Sequence, residues 1–544
     1  MRRVAAVVLV VVLSAPALPA LHAQPAAKPR LVVMLMVDGL SWERLHAWRP
    51  WFTAGLKRLM DDGAAASECR YPHLNTLTGP GHASVATGAP PRVHGIPSNQ
   101  WFVRSASGAA MEAVYSASQP APGSPENAST TPGPGRLRVP TLADRLSMRD
   151  PSARVVSVAN KDRAAILLAG RDPRHAVYWY KAIDGTYETS TVYDRGSPEG
   201  AAAATVVLRF NREKAGARLA DRFGTAWARM PAPSPAPSPG FESGLDAQQN
   251  PYLGPSFPHD LTHGKNPLPE AFLSTSFADR LLTDLAMDLI ADDAVALGRD
   301  DVPDLLAVSF SAHDFVSHDY GPESVEALEV LRALDLSIGR LLDDLATRFG
   351  EGSVLVAFSA DHGFLPLAEA SKHRVTEVTL LAQLNAAVNA KLGRAGGAPL
   401  VYRLEGCSLW LDRVALAAPG APDPRRVLEI VRHELATTFK DAVAETMLPG
   451  DHAREARNSY VAGRSGDLFV VPRFGVLLNS SGLGTSHGSP WEYDAHVPMI
   501  FWGGGVRARV FSTPSTPYDA APTLASWLGI ELPDATGTRL SLWK

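Results

Sequence analysis

Side chains that can bind metal ions lie in short loops next to apolar, strand-like segments. Asp314 and His318 are four residues apart, so one helical turn would place them on the same face, although an ordinary surface pair is the alternative. Carboxylate and imidazole ligands without cysteine suit Zn²⁺. Three ligands with an open position are typical of catalytic metal sites, and the six candidates suffice for two such sites: Asp38, Asp314, His318, Asp361, His362 and His487. The nearby His496 is predicted to support the structure instead.

A candidate nucleophile lies in the segment 75–82, which reads Asn-Thr-Leu-Thr-Gly-Pro-Gly-His. Thr78 precedes Gly-Pro-Gly, a pattern that predicts a helix over 82–87. A helix N-terminus favours an anion because of its free N–H groups and its dipole. A hydroxyl there could attack a phosphoryl or sulfuryl group if metal ions lowered its pKa, and two ions about 4 Å apart can clamp the attacking and leaving oxygens. Alternatively, Thr78 is only the N-cap of this helix.

Three further polar residues could bind anionic oxygens. Asn99, in the loop 93–101, could donate to a phosphoryl oxygen, and a simple turn asparagine is the alternative. Lys161 and Arg163 follow the predicted strand 153–158. Because arginine can bind two oxygens at once and lysine adds a point charge, this pair predicts an anion clamp. A solvated charged turn is the alternative for both cations.

The apolar runs at 31–37, 304–310 and 353–358 predict buried parallel strands that end near candidate ligands. The carboxyl ends of such strands are where open α/β sheets bind ligands. We therefore predict an α/β fold with a central, mostly parallel sheet sandwiched by helices. The predicted core comprises 24–183, 274–369 and 481–544, interrupted by insertions at 184–273 and 370–480, the latter acting as a cap.

Composition and the N-terminus indicate an exported globular protein. The chain has 544 residues and a net charge of −4, so it carries no basic footprint for nucleic acid. Residues 1–23 have the pattern of a cleaved signal peptide, with Arg2 and Arg3 followed by an apolar run over 4–13. We expect a secreted, periplasmic protein without stable membrane insertion. Cys69 and Cys407 could pair in that oxidising compartment, and sequence leaves this open.

Taken together, these motifs closely resemble the alkaline phosphatase superfamily. The resemblance is strongest to bacterial phosphate-irrepressible alkaline phosphatases that use a threonine nucleophile and two zinc ions. It covers residues 30–544, and the motifs follow the family order. The segments that carry it are Asp38-Gly39, 77–82, 160–163, the pair Asp314 and His318, 361–363 and 484–488.

The resemblance implies a role for each residue. Thr78 would form a phosphothreonine, and Asn99, Lys161 and Arg163 would stabilise the non-bridging oxygens. Lys161 could also replace, electrostatically, the third metal ion of other family members. One zinc ion, for the leaving group and then the attacking water, would be held by Asp314, His318 and His487. The second would be held by Asp38, Asp361 and His362, and it would stabilise the Thr78 alkoxide, whose oxygen would also bind the metal.

The implied substrates are small-molecule phosphate monoesters, since Lys161 and Arg163 suit the charge of a dianion. A phosphodiesterase or nucleotide pyrophosphatase of the same superfamily is the alternative, because that group resembles the chain at the metal sites and the threonine. A sulfatase would need cysteine or serine where Thr78 stands. A secreted, non-catalytic metal-binding protein is the alternative from a different class. Oligomeric state and the physiological substrate stay open.

Overall fold

The computed structural model describes residues 29–104, 111–116, 132–193, 197–233, 253–254, 256–264, 267–367, 373–479 and 484–543. The predicted signal peptide at 1–23 lies outside these residues. Among the described helices, none combines the length and the apolar composition that a membrane span requires.

A nine-stranded sheet forms the centre of the protein. We number its strands in chain order: β1 (Leu31–Val37), β2 (Ala64–Ala66), β3 (Val155–Ala159), β4 (Ala176–Lys181), β5 (Thr186–Glu188), β6 (Asp304–Phe310), β7 (Val354–Ser359), β8 (Met499–Gly503) and β9 (Arg509–Phe511). Their order across the sheet is β9-β2-β8-β7-β1-β6-β3-β4-β5. The central strands β7, β1, β6, β3 and β4 are all parallel, whereas β8 and β5 run antiparallel to their inner neighbours.

The central strands are buried on both faces. Every residue of β1, β6 and β7 is buried, which agrees with their unbroken apolar sequences, since a parallel sheet is covered by helices on both sides. The register places Leu31 opposite both Asp304 and Val354, so β1, β6 and β7 start and end at the same levels. The predicted fold class is therefore confirmed.

Two groups of helices pack on this sheet. In the first group, Val325–Phe349 contacts Gly55–Asp62 and Ser276–Ala291. In the second, Thr78–Thr87 contacts Asp162–Ala169 and Ala520–Leu528. The other α-helices are Trp42–Ala47, Pro91–His94, Leu142–Arg149, Pro198–Glu213, Leu219–Phe223, Leu268–Leu273, Ala312–Tyr320, Glu377–Lys391, Arg413–Ala417, Pro424–Thr437, Arg454–Ser459 and Glu492–Ala495. Short 3₁₀ helices span Arg49–Trp51, Gly216–Arg218, Glu351–Ser353 and Pro517–Asp519.

A second, four-stranded antiparallel sheet lies within the range 370–480 and has its own hydrophobic cluster. Its strands, in spatial order, are Val401–Glu405, Ser408–Leu411, Leu468–Pro472 and Val443–Met447. The helices Glu377–Lys391 and Pro424–Thr437 pack on it. Two-stranded pairs are formed by Gln100–Arg104 with Met111–Ser116, Ala226–Trp227 with His259–Asp260, and Arg374–Thr376 with Leu477–Asn479.

The limits of the two insertions stay a prediction. The edge strand β5 belongs to the main sheet although it lies in the range 184–273.

The helix Thr78–Thr87 begins four residues before the predicted start. Leu77 precedes this helix in an extended conformation, with φ −129° and ψ 161°. Thr78 is thus the first helical residue rather than the N-cap.

Candidate active site

Four neighbouring parallel strands deliver the candidate residues to one edge of the main sheet. Asp38 directly follows β1, and Asp361 follows β7. Asp314 lies in the first turn of the helix after β6, and Lys161 follows β3. Because the strands lie in the order β7-β1-β6-β3 and are parallel, their carboxyl ends form one crevice, as open α/β sheets do at ligand sites.

The structure brings Asp314, His318 and His487 together. Their ligand atoms all lie within 4.8 Å of one another. The Nε2 atoms of His318 and His487 lie 3.5 and 3.6 Å from Oδ1 of Asp314. The helix Ala312–Tyr320 presents the first two residues one turn apart, whereas His487 arrives from a loop far along the chain.

Asp38, Asp361 and His362 form a second cluster of the same kind, again with ligand atoms within 4.8 Å of one another. Nε2 of His362 lies 3.3 Å from Oδ1 of Asp38 and 3.5 Å from Oδ2 of Asp361. All three side chains are fully buried. The His362 and His487 rings stack with centroids 3.4 Å apart, so the two clusters adjoin.

The three imidazoles have the orientation that metal ligands need. Each Nδ1–H donates to a backbone carbonyl: His318 to Thr485 at 2.9 Å, His362 to Gly363 at 3.0 Å and His487 to Thr76 at 2.9 Å. A carbonyl only accepts hydrogen bonds, so the proton lies on Nδ1 and the lone pair on Nε2, facing the carboxylates. Such bonds fix the tautomer and the ring orientation of metal-ligating histidines.

Buried polar atoms without partners also point to a cation. In the part of the chain that the structure describes, Asp38 Oδ1, Asp314 Oδ1, Asp361 Oδ2 and His362 Nε2 are buried and make no hydrogen bond. Buried carboxylate oxygens without a partner are costly, and proteins keep them hydrogen-bonded or bound to metal. Burial would lower the pKa of His362, but without a bound cation Asp361 and Asp38 outweigh it and raise the pKa to about 9, so these carboxylates attract positive charge to the His362 position. Both clusters therefore fit a metal ion.

Lys161 connects the two clusters. Its Nζ lies 2.7 Å from Oδ2 of Asp38 and 2.5 Å from Oδ2 of Asp314, and it also lies over the Phe315 ring. Burial would lower the pKa of Lys161, but the two carboxylates raise it above its usual value. The ammonium is thus a fixed positive charge at the junction of the clusters.

Thr78 is buried, with 1% of its surface exposed, at the start of the helix Thr78–Thr87. Asn99 lies beside it, because its Oδ1 accepts a hydrogen bond from the Gly79 N–H at 2.7 Å. This bond directs the amide oxygen toward the helix and leaves the NH₂ group for another acceptor. Arg163 lies in the first turn of Asp162–Ala169, and its charge acts on Lys161.

Several supporting residues carry little sequence signal. Phe364 packs its ring 4.8 Å from His318, 5.8 Å from His362 and 4.9 Å from His487. Asp494 accepts hydrogen bonds from Ser489 in the His487 loop. The sequence signal for Phe364 is its position three residues after Asp361, since side chains next to a metal ligand often hold that ligand in place.

Two more polar residues hold the site from behind. Ser311 donates its hydroxyl to Oδ2 of Asp38 at 3.1 Å. His82 donates from Nδ1 to the Thr78 carbonyl at 2.9 Å, and its Nε2 lies 2.7 Å from the Ser309 hydroxyl. In contrast, His496 turns to Glu43 and to the Ser67 carbonyl, which agrees with its predicted structural role.

Gly81 holds the threonine helix against the second cluster, and alanine there should destabilise the protein. A Cβ would lie 2.5 Å from the Asp361 carbonyl oxygen and 2.6 Å from the Asp361 Cβ. Alanine in a helix normally gains about 1 kcal/mol over glycine, but a clash with backbone in a packed core costs about 1–3 kcal/mol. We expect a net loss of stability in Gly81→Ala by chemical denaturation.

Gly450→Ala is the matched control, because a Cβ at Gly450 would meet no atom within 4 Å. If Gly81→Ala proved as stable as this control and kept full turnover, the close packing of the helix on Asp361 would be wrong.

Comparison with known proteins assigns the family. Residues 32–496 match the model of the type I phosphodiesterase/nucleotide pyrophosphatase family, and the chain belongs to this family, within the alkaline phosphatase superfamily. It is 29% identical to alkaline phosphatase PafA of Elizabethkingia meningoseptica, covering 93% of this chain and 92% of the relative. It is 30% identical to alkaline phosphatase PhoK of a Sphingomonas species, covering 93% and 90%.

A solved structure agrees with this assignment. The crystal structure of PafA matches with a TM-score of 0.80 and 26% identity over 95% of this chain and 99% of that one. A PafA variant substituted at a threonine, an asparagine, a lysine and an arginine matches with a TM-score of 0.79 at the same identity and coverage. The predicted resemblance to PafA-like, phosphate-irrepressible phosphatases is confirmed, and the chain is a phosphoryl hydrolase of this superfamily.

Proposed function

We propose that this protein is a secreted, zinc-dependent alkaline phosphatase that hydrolyses phosphate monoesters through a phosphothreonine on Thr78. One observation carries the proposal: Lys161 lies between two three-ligand clusters at the crevice, with Arg163 two residues away. A monoester dianion carries more charge on its terminal oxygens than a diester does. Fixed cations at the site therefore favour the monoester.

The donor sets fit two zinc ions per chain, one held by Asp314, His318 and His487 and the other by Asp38, Asp361 and His362. Mixed oxygen and nitrogen ligands without cysteine are typical of zinc. When bound, these ions would supply the positive charge that stabilises the oxygens entering and leaving phosphorus.

The residues of the chain would perform the remaining steps. The Thr78 oxygen bonds to phosphorus as the bond from phosphorus to the ester oxygen breaks, and the proton that Thr78 loses leaves with the alcohol. The oxygen of a water molecule then bonds to phosphorus as the bond to the Thr78 oxygen breaks, and one proton of that water restores the Thr78 hydroxyl while phosphate leaves. Asn99, Lys161 and Arg163 bind the non-bridging oxygens throughout. The PafA variant is substituted at the same four residue types, which supports the choice of these four residues.

The predicted leader at 1–23 supports export to the periplasm, where small-molecule phosphate monoesters would be the substrates. The name of the matched family keeps a phosphodiesterase or nucleotide pyrophosphatase as the second candidate. The presence of Thr78 together with Lys161 and Arg163 counts against a non-catalytic metal-binding protein.

The test compares an aryl phosphate monoester with its methyl diester on the zinc-loaded protein. We expect a large preference for the monoester in kcat/KM. Arg163→Ala should lower monoester kcat/KM by about 10²–10³-fold, the usual cost of one charge-stabilising donor, and diester kcat/KM much less. Arg163 is a better probe of the anion clamp than Lys161, because Lys161 also pairs with Asp38 and Asp314 and its loss would disturb both clusters.

Arg171→Ala serves as the control, since Arg171 is exposed just beyond the same helix. If Arg163→Ala lowered kcat/KM equally for the monoester and the diester, the proposed anion clamp would be wrong. A diester preference of the unmodified protein would move the function to the second candidate.

A further inference from the structure

A cavity of 540 Å³ lies apart from the candidate active site. Arg92, Arg454 and Arg457 line it from the helices Pro91–His94 and Arg454–Ser459. Its other walls come from the C-terminal part of the chain and carry mostly hydroxyl groups: Ser515, Thr516, Tyr518, Thr536 and Thr538. None of the ten candidate active-site residues lines the cavity.

The three arginines outnumber the acidic groups that line this cavity among the described residues. Among the described residues, no carboxylate forms an ion pair with any of the three arginines. Asp519 is the one acidic residue that lines the cavity. Its carboxylate already accepts the N–H groups of Thr516 at 2.8 Å and Thr538 at 2.6 Å.

The cavity wall is held in place by buried groups. Arg92 donates from Nε to Oδ1 of Asn458 at 3.3 Å, and Asn458 in turn donates to the Pro72 carbonyl at 2.7 Å. Asn458 is 8% exposed. This bond positions the Arg92 guanidinium and leaves its two terminal NH₂ groups for a ligand. The buried Tyr518 hydroxyl lies 2.7 Å from Nδ1 of His73, which fixes the opposite wall.

We propose that this cavity is a second anion site, and that it binds a diphosphate or longer phosphate chain. Guanidinium groups bind phosphate oxygens in pairs, and three of them exceed what one phosphate group needs. The volume lies in the range of sites for small organic ligands, about 300–1,000 Å³, and it leaves room for more than one phosphorus centre. The proposal is independent of the reaction at Thr78.

The test uses methylenediphosphonate, whose P–C–P bridge the enzyme cannot hydrolyse, in calorimetric titrations of the zinc-loaded protein at a constant free zinc concentration. The unmodified protein should show two classes of site. Arg454→Ala/Arg457→Ala should weaken the second class by about tenfold or more, since charged hydrogen bonds are lost, while aryl phosphate turnover is unchanged. Arg454→Ala and Arg457→Ala, made singly, should each weaken binding at the second site by a smaller factor.

Arg425→Ala/Arg426→Ala is the matched control, because it removes two exposed arginines from another helix. It should bind like the unmodified protein. If the Arg454→Ala/Arg457→Ala variant bound methylenediphosphonate with the affinity and stoichiometry of the unmodified protein, the proposed second site would be wrong. Methylphosphonate binding there as tightly as methylenediphosphonate would overturn the assignment to a phosphate chain.

Discussion

Thr78→Ala is expected to remove almost all phosphomonoester turnover while both metal clusters keep their ions. Thr78 is the first residue of the helix in which His82 lies 3.3 Å from Asp361 of the second cluster, and the Thr78 hydroxyl is not one of the six ligand groups. Loss of a nucleophile that works together with other groups costs about 10⁴–10⁶-fold in kcat. Turnover of an aryl phosphate and zinc content per chain are the two measurements.

Thr78→Ser is the matched variant, because it keeps the hydroxyl and removes only a methyl group. It should retain far more activity than Thr78→Ala and should carry a phosphoserine after rapid acid quenching. Full turnover in Thr78→Ala would refute the assigned nucleophile, whereas a loss of zinc in that variant would show that the side chain serves the metal site instead.

His487→Ala is expected to lower the zinc content by one ion per chain. His487 faces Asp314 through Nε2 at 3.6 Å, and the Thr76 carbonyl holds its other nitrogen. Turnover should fall by more than about 100-fold, since losing even an outer hydrogen-bond partner of a ligand costs 10–100-fold. Metal analysis and kcat/KM give the two readings.

His496→Ala provides the comparison nine positions along the chain. His496 is also buried, but it bonds to Glu43 and the Ser67 carbonyl. Its loss should lower thermal stability and leave both zinc ions bound. If the two variants lost the same amount of zinc, the assignment of His487 to a metal site would fail.

Local sequence patterns were sufficient for the elements that position the site. An apolar run such as 31–37 has no alternation, and only a strand covered on both faces accommodates it. The spacing of Asp314 and His318 suits one turn of a helix, and the structure has a helix at Ala312–Tyr320. The threonine helix starts earlier than the sequence predicts, because Gly79, Pro80 and Gly81 are poor helix formers and tertiary packing overrides that preference.

The sequence by itself determined the fold class and the candidate residue types, because strand periodicity and metal chemistry are local properties. Only the tertiary structure decided that Lys161 lies between Asp38 and Asp314, and that Phe364 packs on three imidazoles. The pairing of β3, β6, β1 and β7 sets these distances, and it joins segments up to about 320 residues apart in the chain, a separation that local pattern does not encode. The arginine cavity arises in the same way, from three distant segments that meet only in the folded protein.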